Sequence, residues 1–450
     1  MKKNFSVLVK SKVKKFNKKI TVDPDKSISH RSYIIASQCF GISKIKALNS
    51  EDVKATIGAL KKLGIKILRK NNIDYVYGSG ISGFKKFEGT INCYNSGTSA
   101  RSLLGILACY PYPVKITGDE SLKLRPFKRL TNYLESNGAI ISHPKNKKYT
   151  LPIKIIGTKD WSLAQKHFLK VKSAQLSSAL IYAGIQTNGV TEIIESAEVR
   201  DHTQRMLKSL KADINVKYKN GKRITKIKGN VEMSNFSINV PADPSSACFF
   251  VVQTLLAKNS SLLIKRVCVN DTRIGFIKIL KKMGAKIKII NKKKYFGESI
   301  GDIFVKSSKL RGVKCPSKLI VKSIDDLLAV WVACGLAKGK SHFKDIDELR
   351  FKESDRIKSG TEILNKLGIK TYSNNNSITI CGNPNLKLNK KVILSSNLDH
   401  RKAITSFIAA SVLGVKILIK NFETVASSFP NFLKLQKKII GVKYEIKKNY

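Results

Sequence analysis

The sequence predicts an α/β (α+β) protein of two domains, each made of three copies of one structural unit. Three observations lead there. A helix–glycine–strand joint recurs six times, and its copies are spaced almost evenly. A chain of 450 residues is also too long to close around one ordinary core.

Each joint is a helical stretch ending in an apolar residue, then glycine, then a small or β-branched residue that opens a strand. The first copies are Leu60-Lys-Lys-Leu-Gly64-Ile and Leu134-Glu-Ser-Asn-Gly138-Ala. The third, Leu207-Lys-Ser-Leu-Lys211-Ala, has lysine in the glycine position. Leu280-Lys-Lys-Met-Gly284-Ala, Leu364-Asn-Lys-Leu-Gly368-Ile and the weaker Leu435-Gln-Lys-Lys-Ile-Ile-Gly441-Val complete the set. The steps between these positions are 74, 73, 73, 84 and 73 residues. Helix–glycine–strand joints are common because glycine tolerates the left-handed turn that ends a helix. Their regular spacing is what marks a repeat. A unit of this length holds a few strands and two helices.

Val240-Pro-Ala-Asp-Pro-Ser-Ser interrupts the chain just before an apolar helix and marks the halfway boundary. The expected domains are 25–240 and 241–450, with the strands of 1–24 belonging to the second. A compact hinge near 22–26 and 239–243 would let the halves close over a ligand.

Hydrophobic content of 42% excludes wholesale disorder, whereas the net charge of +53 needs explaining. Lysine is spread along the whole chain and not concentrated among aromatics, which argues for compositional drift over a nucleic-acid surface. Eight scattered cysteines lack C-x-x-C pairing and six histidines are equally scattered, so no metal site is expected. Residues 1–19 lack the apolar core of a signal peptide, and the longest apolar run, Leu327 to Ala337, is too short to span a bilayer. A soluble cytoplasmic protein is expected.

Polar helix starts carry the chemistry. Asp25-Lys-Ser-Ile-Ser-His-Arg31 gathers a point charge (Lys26), a planar fork (Arg31) and neutral donors (Ser27, Ser29) ahead of a helical stretch from Ser32. Unpaired amides and the helix dipole favour anions there. Asn95-Ser-Gly97-Thr-Ser-Ala-Arg101 is a small-residue turn between a strand and a helix, and Arg125 precedes a helix expected to start at Pro126. Lys172-Ser173-Ala174-Gln175 and Arg200-Asp-His-Thr open two more helices. One polar helix start is a cap; a set of them is a binding surface. In the second half, Asp325-Asp326 precedes an apolar helix. Lys352, Glu353 and Arg356 are expected in one helix, with Lys352 and Arg356 four apart on one face. Arg401 heads another helix in Asp399-His-Arg-Lys-Ala. Two carboxylates among many cations suit proton transfer on an anionic substrate.

Together, from about Val22 to Phe432, these motifs resemble the 5-enolpyruvylshikimate-3-phosphate synthase family; Asp243–Phe249 and Ser428-Phe-Pro430 add to the match. The resemblance implies three βαβαββ repeats per domain, the enolpyruvyl transferase inside-out barrel. It implies transfer of the enolpyruvyl group of phosphoenolpyruvate to the 5-hydroxyl of 3-phosphoshikimate, in the shikimate pathway to chorismate and aromatic amino acids, with release of phosphate. By resemblance, Lys26, Ser27, Arg31, Ser173, Ala174, Gln175, Arg200, Asp325 and Lys352 hold 3-phosphoshikimate. Lys26, Gly97, Arg125, Gln175, Arg356 and Arg401 hold phosphoenolpyruvate, in the pocket that takes glyphosate in the family. Asp325, Glu353 and Lys26 are the catalytic residues: Asp325 takes the hydroxyl proton and Glu353 helps protonate the methylene carbon. No cofactor, metal, nucleic acid or membrane is implied, and the enzyme is expected to be a monomer.

The chain departs from the pattern at Ser427, where many members have lysine, and at Ala174, where some have a second serine. A sister enzyme, UDP-N-acetylglucosamine enolpyruvyl transferase, shares fold and cosubstrate but carries a cysteine where this chain has Glu120. A basic nucleic-acid-binding protein is the alternative from another class. Its binding would weaken steeply with salt if phosphate contacts alone drove it.

Overall fold

The joints fold as left-handed helix ends. Gly64, Gly138, Gly284, Gly368 and Gly441 have φ of 89°, 100°, 94°, 80° and 76°, and Lys211 adopts the same turn at 57°. The third joint therefore keeps its geometry without glycine, at the strain of a Cβ in a region that favours glycine. The computed structural model describes residues 4–144, 149–158, 162–388 and 391–448.

The chain divides into two compact units. The first holds Pro24–Val240 with Lys294–Glu298; the second holds Met1–Asp23, Pro241–Lys293 and Ser299–Tyr450.

Each repeat contributes one mixed sheet. In the first unit, Phe40–Lys46 pairs parallel with Ser237–Asn239 and antiparallel with Ile73–Ser79, which then pairs with Lys66–Lys70. The same order, one parallel pair and then two antiparallel ones, builds the next two sheets. Gly89–Asn92, Val114–Thr117, Ile153–Ile156 and Ile140–Ser142 form one. Lys166–Phe168, Val190–Ser196, Lys222–Lys228 and Ile214–Lys219 form the other. In the second unit the N-terminal strands fill places in two sheets. Asn17–Ile20 runs parallel to Ser261–Cys268, and Phe5–Val9 lies between Ile417–Lys420 and Tyr444–Lys448. The sheet of Gly339–Lys344, Ser377–Gly382 and Thr371–Ser373 has three strands, with the parallel bridge Lys314–His342 beside them.

Two kinds of helix pack on these sheets. The first unit's inner helices are α1 (Lys26–Ser37), α3 (Gly97–Leu107) and α5 (Ala174–Gly184), separated in sequence by the outer, amphipathic α2 (Glu51–Lys62) and α4 (Lys128–Ser136) and followed by α6 (His202–Ser209). The second unit repeats the scheme with inner α7 (Pro244–Leu256), α9 (Leu327–Gly335) and α11 (His400–Leu413) and outer α8 (Gly275–Lys282) and α10 (Arg356–Lys366). Inner helices are buried nearly all round, as every residue of α9 is. Each fully buried Leu or Val there contributes roughly 1.5–3 kcal/mol. Their buried hydroxyls bond carbonyls one turn back, as Ser29 to Asp25 O and Ser32 to Ile28 O do, so the cores carry serine without stranding its polar group.

Gly105 sets the distance between α3 and α5. A Cβ there would lie 2.2 Å from the carbonyl oxygen of Ala179, so only glycine allows the approach. That contact brings the starts of the two helices together. All eight cysteines are free thiols, seven of them buried. Among the described residues no helix is long and apolar enough to cross a membrane.

Candidate active site

In the first unit the polar motifs lie in, or just ahead of, the opening turns of the helices. The α1 helix starts at Lys26, six residues earlier than the sequence suggested, because Asp25 caps it: its Oδ1 accepts the Ile28 amide at 2.8 Å. Gly97 likewise belongs to the first turn of α3, capped by Ser96, and is not in the preceding turn. The helix after Arg125 starts at Lys128, not at Pro126.

The α1 motif splits by direction. Lys26 and Ser27 are half-buried, and the Lys26 ammonium sits 2.9 Å from Asp52 of α2, an acid that lies outside the polar motifs. Arg31 is buried; its Nε donates to Thr203 Oγ1 at 2.8 Å and its Nη2 to Ser178 Oγ at 2.7 Å. His30 turns inward to Thr56 Oγ1 at 2.8 Å, and Thr56 meets Ser99 of α3 at 2.7 Å. Burial, aided by Lys26 and Arg31, pushes the His30 pKa well below its ordinary value. The imidazole is a neutral strut between α1, α2 and α3.

These bonds bring the other predicted residues into the same region of the unit. Gln175 donates to Thr98 Oγ1 at 3.0 Å across the close α3–α5 contact, while Ser173 caps α5 through the Leu176 amide and Ala174 is the first helical residue. Arg125 is buried and bonds Asn95 and, at 3.2 Å, Ser121. Arg101, beside it, stacks on Phe127 at 4.6 Å. Arg200 sits half-buried just ahead of α6.

The second unit is organised around Arg356. It is 1% exposed and meets three carboxylates: its Nε donates to Asp399 at 3.0 Å, its Nη1 to Asp325 at 3.0 Å and its Nη2 to Glu353 at 2.5 Å. Burial works against the charge, yet Asp399, Glu353 and Asp325 together hold the pKa of the guanidinium above its ordinary value. Arg401 donates to the Asp325 carbonyl at 2.7 Å, and Ser427 Oγ lies 3.4 Å from His400 Nδ1.

Lys352 is not on a helical face with Arg356. Asp355 caps α10, so the helix begins at Arg356, and Lys352 precedes it in extended backbone after the 3₁₀ turn Asp347–Phe351. Burial lowers the Lys352 pKa while Asp325 and Glu353 resist. Lys352, Arg356, Asp325 and Glu353 still interact, although not through helical spacing.

Asp326, not Asp325, is the residue at the head of α9. Its carboxylate is wholly buried 3.9 Å from Arg401, and burial, opposed by Arg401, pushes its pKa up to about 6. A carboxyl raised above its ordinary 3.8 contributes stability that is full below that pH and is lost as pH rises through about 6. Asp326→Asn, which cannot ionise, is expected to show a shallower fall of Tm from about pH 5 to 7.5, by about 2 °C or more. Parallel Tm–pH curves for variant and parent would refute that assignment.

Two units of repeated mixed sheets, each presenting polar helix starts rich in cations, have the architecture of the enolpyruvyl transferases. The crystal structure of the enolpyruvyl transferase NikO from Streptomyces tendae superposes with a TM-score of 0.77, covering 99% of this chain and all of that one. At 12% identity that is a likeness of fold alone. The chain belongs to the EPSP synthase (3-phosphoshikimate 1-carboxyvinyltransferase) family, whose family model matches residues 10–435.

It is 41% identical over 432 residues to the 3-phosphoshikimate 1-carboxyvinyltransferase of Petrotoga mobilis, covering 95% of this chain and 98% of the relative. The corresponding protein of Caldicellulosiruptor bescii is 40% identical over 422 residues, 93% of this chain and 96% of the relative. The solved EPSP synthase of Acinetobacter baumannii superposes with a TM-score of 0.84 at 33% identity, covering 98% of this chain and 100% of that one. These likenesses favour this family over the sister transferase and the nucleic-acid binder considered from the sequence.

Proposed function

We propose that this chain transfers the enolpyruvyl group of phosphoenolpyruvate to the 5-hydroxyl of 3-phosphoshikimate and releases phosphate. The observation that carries this reading is the buried Arg356 fork, which holds Asp325 and Glu353, the two acids that the reaction needs, on one cation. In this reading Asp325 accepts the hydroxyl proton as the oxygen attacks the central carbon of phosphoenolpyruvate. Glu353 delivers a proton to the methylene carbon. The C–O bond to phosphate then breaks, and a proton leaves the new methyl group to restore the double bond. Proton transfers by positioned side chains of this kind contribute about 10²–10⁴ in rate.

In this reading cations and polar helix starts of both units serve the anionic substrates. Lys26, Ser27, Arg31, Ser173, Ala174 (through its backbone), Gln175 and Arg200 serve 3-phosphoshikimate, with Lys352 and Asp325 from the second. Lys26, Gly97, Arg125, Gln175, Arg356 and Arg401 serve phosphoenolpyruvate. Helix amides and guanidinium forks suit phosphate and carboxylate groups. We also place the enzyme in the cytoplasm as a monomer. The test is phosphate release by purified protein: it should require both substrates, and release with either one alone, or none with both, refutes the reading.

Gly97 offers a narrower check. Its φ lies outside the left-handed region, so alanine fits the backbone, but a Cβ would lie 2.8 Å from Arg101 Nη1 and 3.0 Å from Arg125 Nη1. The two guanidinium groups must shift to make room. Gly97→Ala is therefore expected to keep its Tm, raise the KM for phosphoenolpyruvate by about tenfold and weaken glyphosate further, each tenfold being about 1.4 kcal/mol. Unchanged affinities for both ligands at an unchanged Tm would place Gly97 outside the pocket.

A further inference from the structure

Beneath the first unit's polar helix starts lies a second buried layer that none of the motifs includes. Glu195 and Arg223 stand directly opposite each other on neighbouring antiparallel strands, Val190–Ser196 and Lys222–Lys228. Cross-strand partners in register project to one face of a sheet. The Arg223 side chain is fully buried and Glu195 is 2% exposed. Arg223 Nη2 donates to Glu195 Oε1 at 2.8 Å, and Nε adds a weaker bond at 3.3 Å.

The rest of the Arg223 fork reaches backbone. Nη1 donates to the Val199 carbonyl at 2.8 Å and Nη2 to the Arg200 carbonyl at 3.4 Å. These carbonyls belong to the short turn that carries Arg200 from the end of its strand to the start of α6. Glu195 works toward the neighbouring helices: Oε1 accepts Ser177 of α5 at 2.7 Å and Gln204 of α6 at 3.1 Å. Ser177 lies one turn along from Ser173, the cap of the helix that opens with Ala174 and Gln175. At the turn's exposed edge, Glu198 pairs with Lys172 at 2.7 Å.

A pair meant only to stabilise the sheet would not need its fork aimed at the carbonyls of a ligand-bearing turn. A buried ion pair is often no better for stability than apolar residues of similar volume. What this pair adds is direction, because a guanidinium offers donors in fixed, coplanar positions.

We propose that Arg223, anchored by Glu195, is a positioning residue that fixes the Arg200 turn for binding 3-phosphoshikimate. The proposal rests on the substrate reading given under Proposed function. Arg223 touches no substrate; it sets where the Arg200 side chain starts. Lysine at 223 keeps the charge but gathers its three donors on one nitrogen at the end of a flexible stem, so it cannot reproduce the fork's fixed, coplanar spread of bonds to Glu195 and two carbonyls. The Arg200 turn then samples several positions, and affinity for the anionic acceptor falls.

The test is a double-mutant cycle read by calorimetric binding of 3-phosphoshikimate to the whole enzyme, with Tm measured on every variant. Arg223→Lys is expected to weaken binding about tenfold in the parent and less than about twofold once Arg200→Ala is present. The KM for phosphoenolpyruvate should stay within about twofold of the parent, because the turn belongs to the acceptor's set. Should Arg223→Lys fail to fold, Glu195→Gln, which keeps the side chain's shape and removes the anchoring charge, takes its place with the same expectation. An equal loss in the two backgrounds, or no loss in the parent, overturns the positioning role. A parent enzyme that does not bind 3-phosphoshikimate overturns the substrate reading, and this proposal with it. A parent that binds, with additive variants, overturns the positioning role alone.

Discussion

Asp325→Asn is expected to lower kcat by about 10²–10⁴ while 3-phosphoshikimate binds within about tenfold of the parent, and Glu353→Gln to do the same. Asp325 and Glu353 keep 17% and 20% of their side chains exposed although Arg356 holds one oxygen of each. They are oriented yet within reach of a ligand. Asparagine keeps the shape of Asp325 and an acceptor for Arg356, so the protein should fold and bind; what it loses is the capacity to take a proton. A purely structural role for Asp325 as a partner of Arg356 predicts a different outcome, a loss of stability with turnover preserved. Steady-state kinetics with a parallel binding titration separates the two. Near-normal turnover in either variant would remove that residue from the proton path.

Arg356→Gln should have the largest effect on the protein itself. Removing the cation leaves Asp325, Glu353 and Asp399 close together with no shared counter-charge, and Asp399 is wholly buried. Breaking a buried ion pair on one side typically costs about 3–5 kcal/mol. The loss should depend on pH in a definite direction. Without Arg356 the three carboxyls have folded pKa values above their unfolded ones, so the variant loses stability as pH rises through those values. Its deficit against the parent should therefore be larger at about pH 8 than at about pH 5. Denaturant unfolding at the two pH values measures this. A deficit under about 1 kcal/mol, or one equal at both, would mean that the three acids do not depend on Arg356.

Lys352 and Glu195 show where local sequence stops informing. The spacing of Lys352 and Arg356 suggested a shared helical face, and the cap at Asp355 broke it. Yet the residues interact, Lys352 from the extended backbone just ahead of the helix. Glu195 and Arg223 are 28 residues apart and unremarkable in composition; strand register alone pairs them. Asp52 escaped notice for the same reason, lying in the ordinary acidic first turn of an outer helix.

The six joints were legible because a left-handed helix end is a local demand of the backbone, met by glycine five times and by Lys211 once. The polar helix starts were legible because caps and anion-binding amides are properties of a few consecutive residues. The repeat, the α/β class and the residues that could meet anions all follow from such local patterns. Tertiary structure alone decided which charges oppose each other. Arg356 gathers acids from residues 325, 353 and 399, and Arg31 reaches Ser178 and Thr203, because helices far apart in sequence pack with their starts adjacent. Electrostatic pairing depends on distance and burial, and neither can be read from positions along a chain.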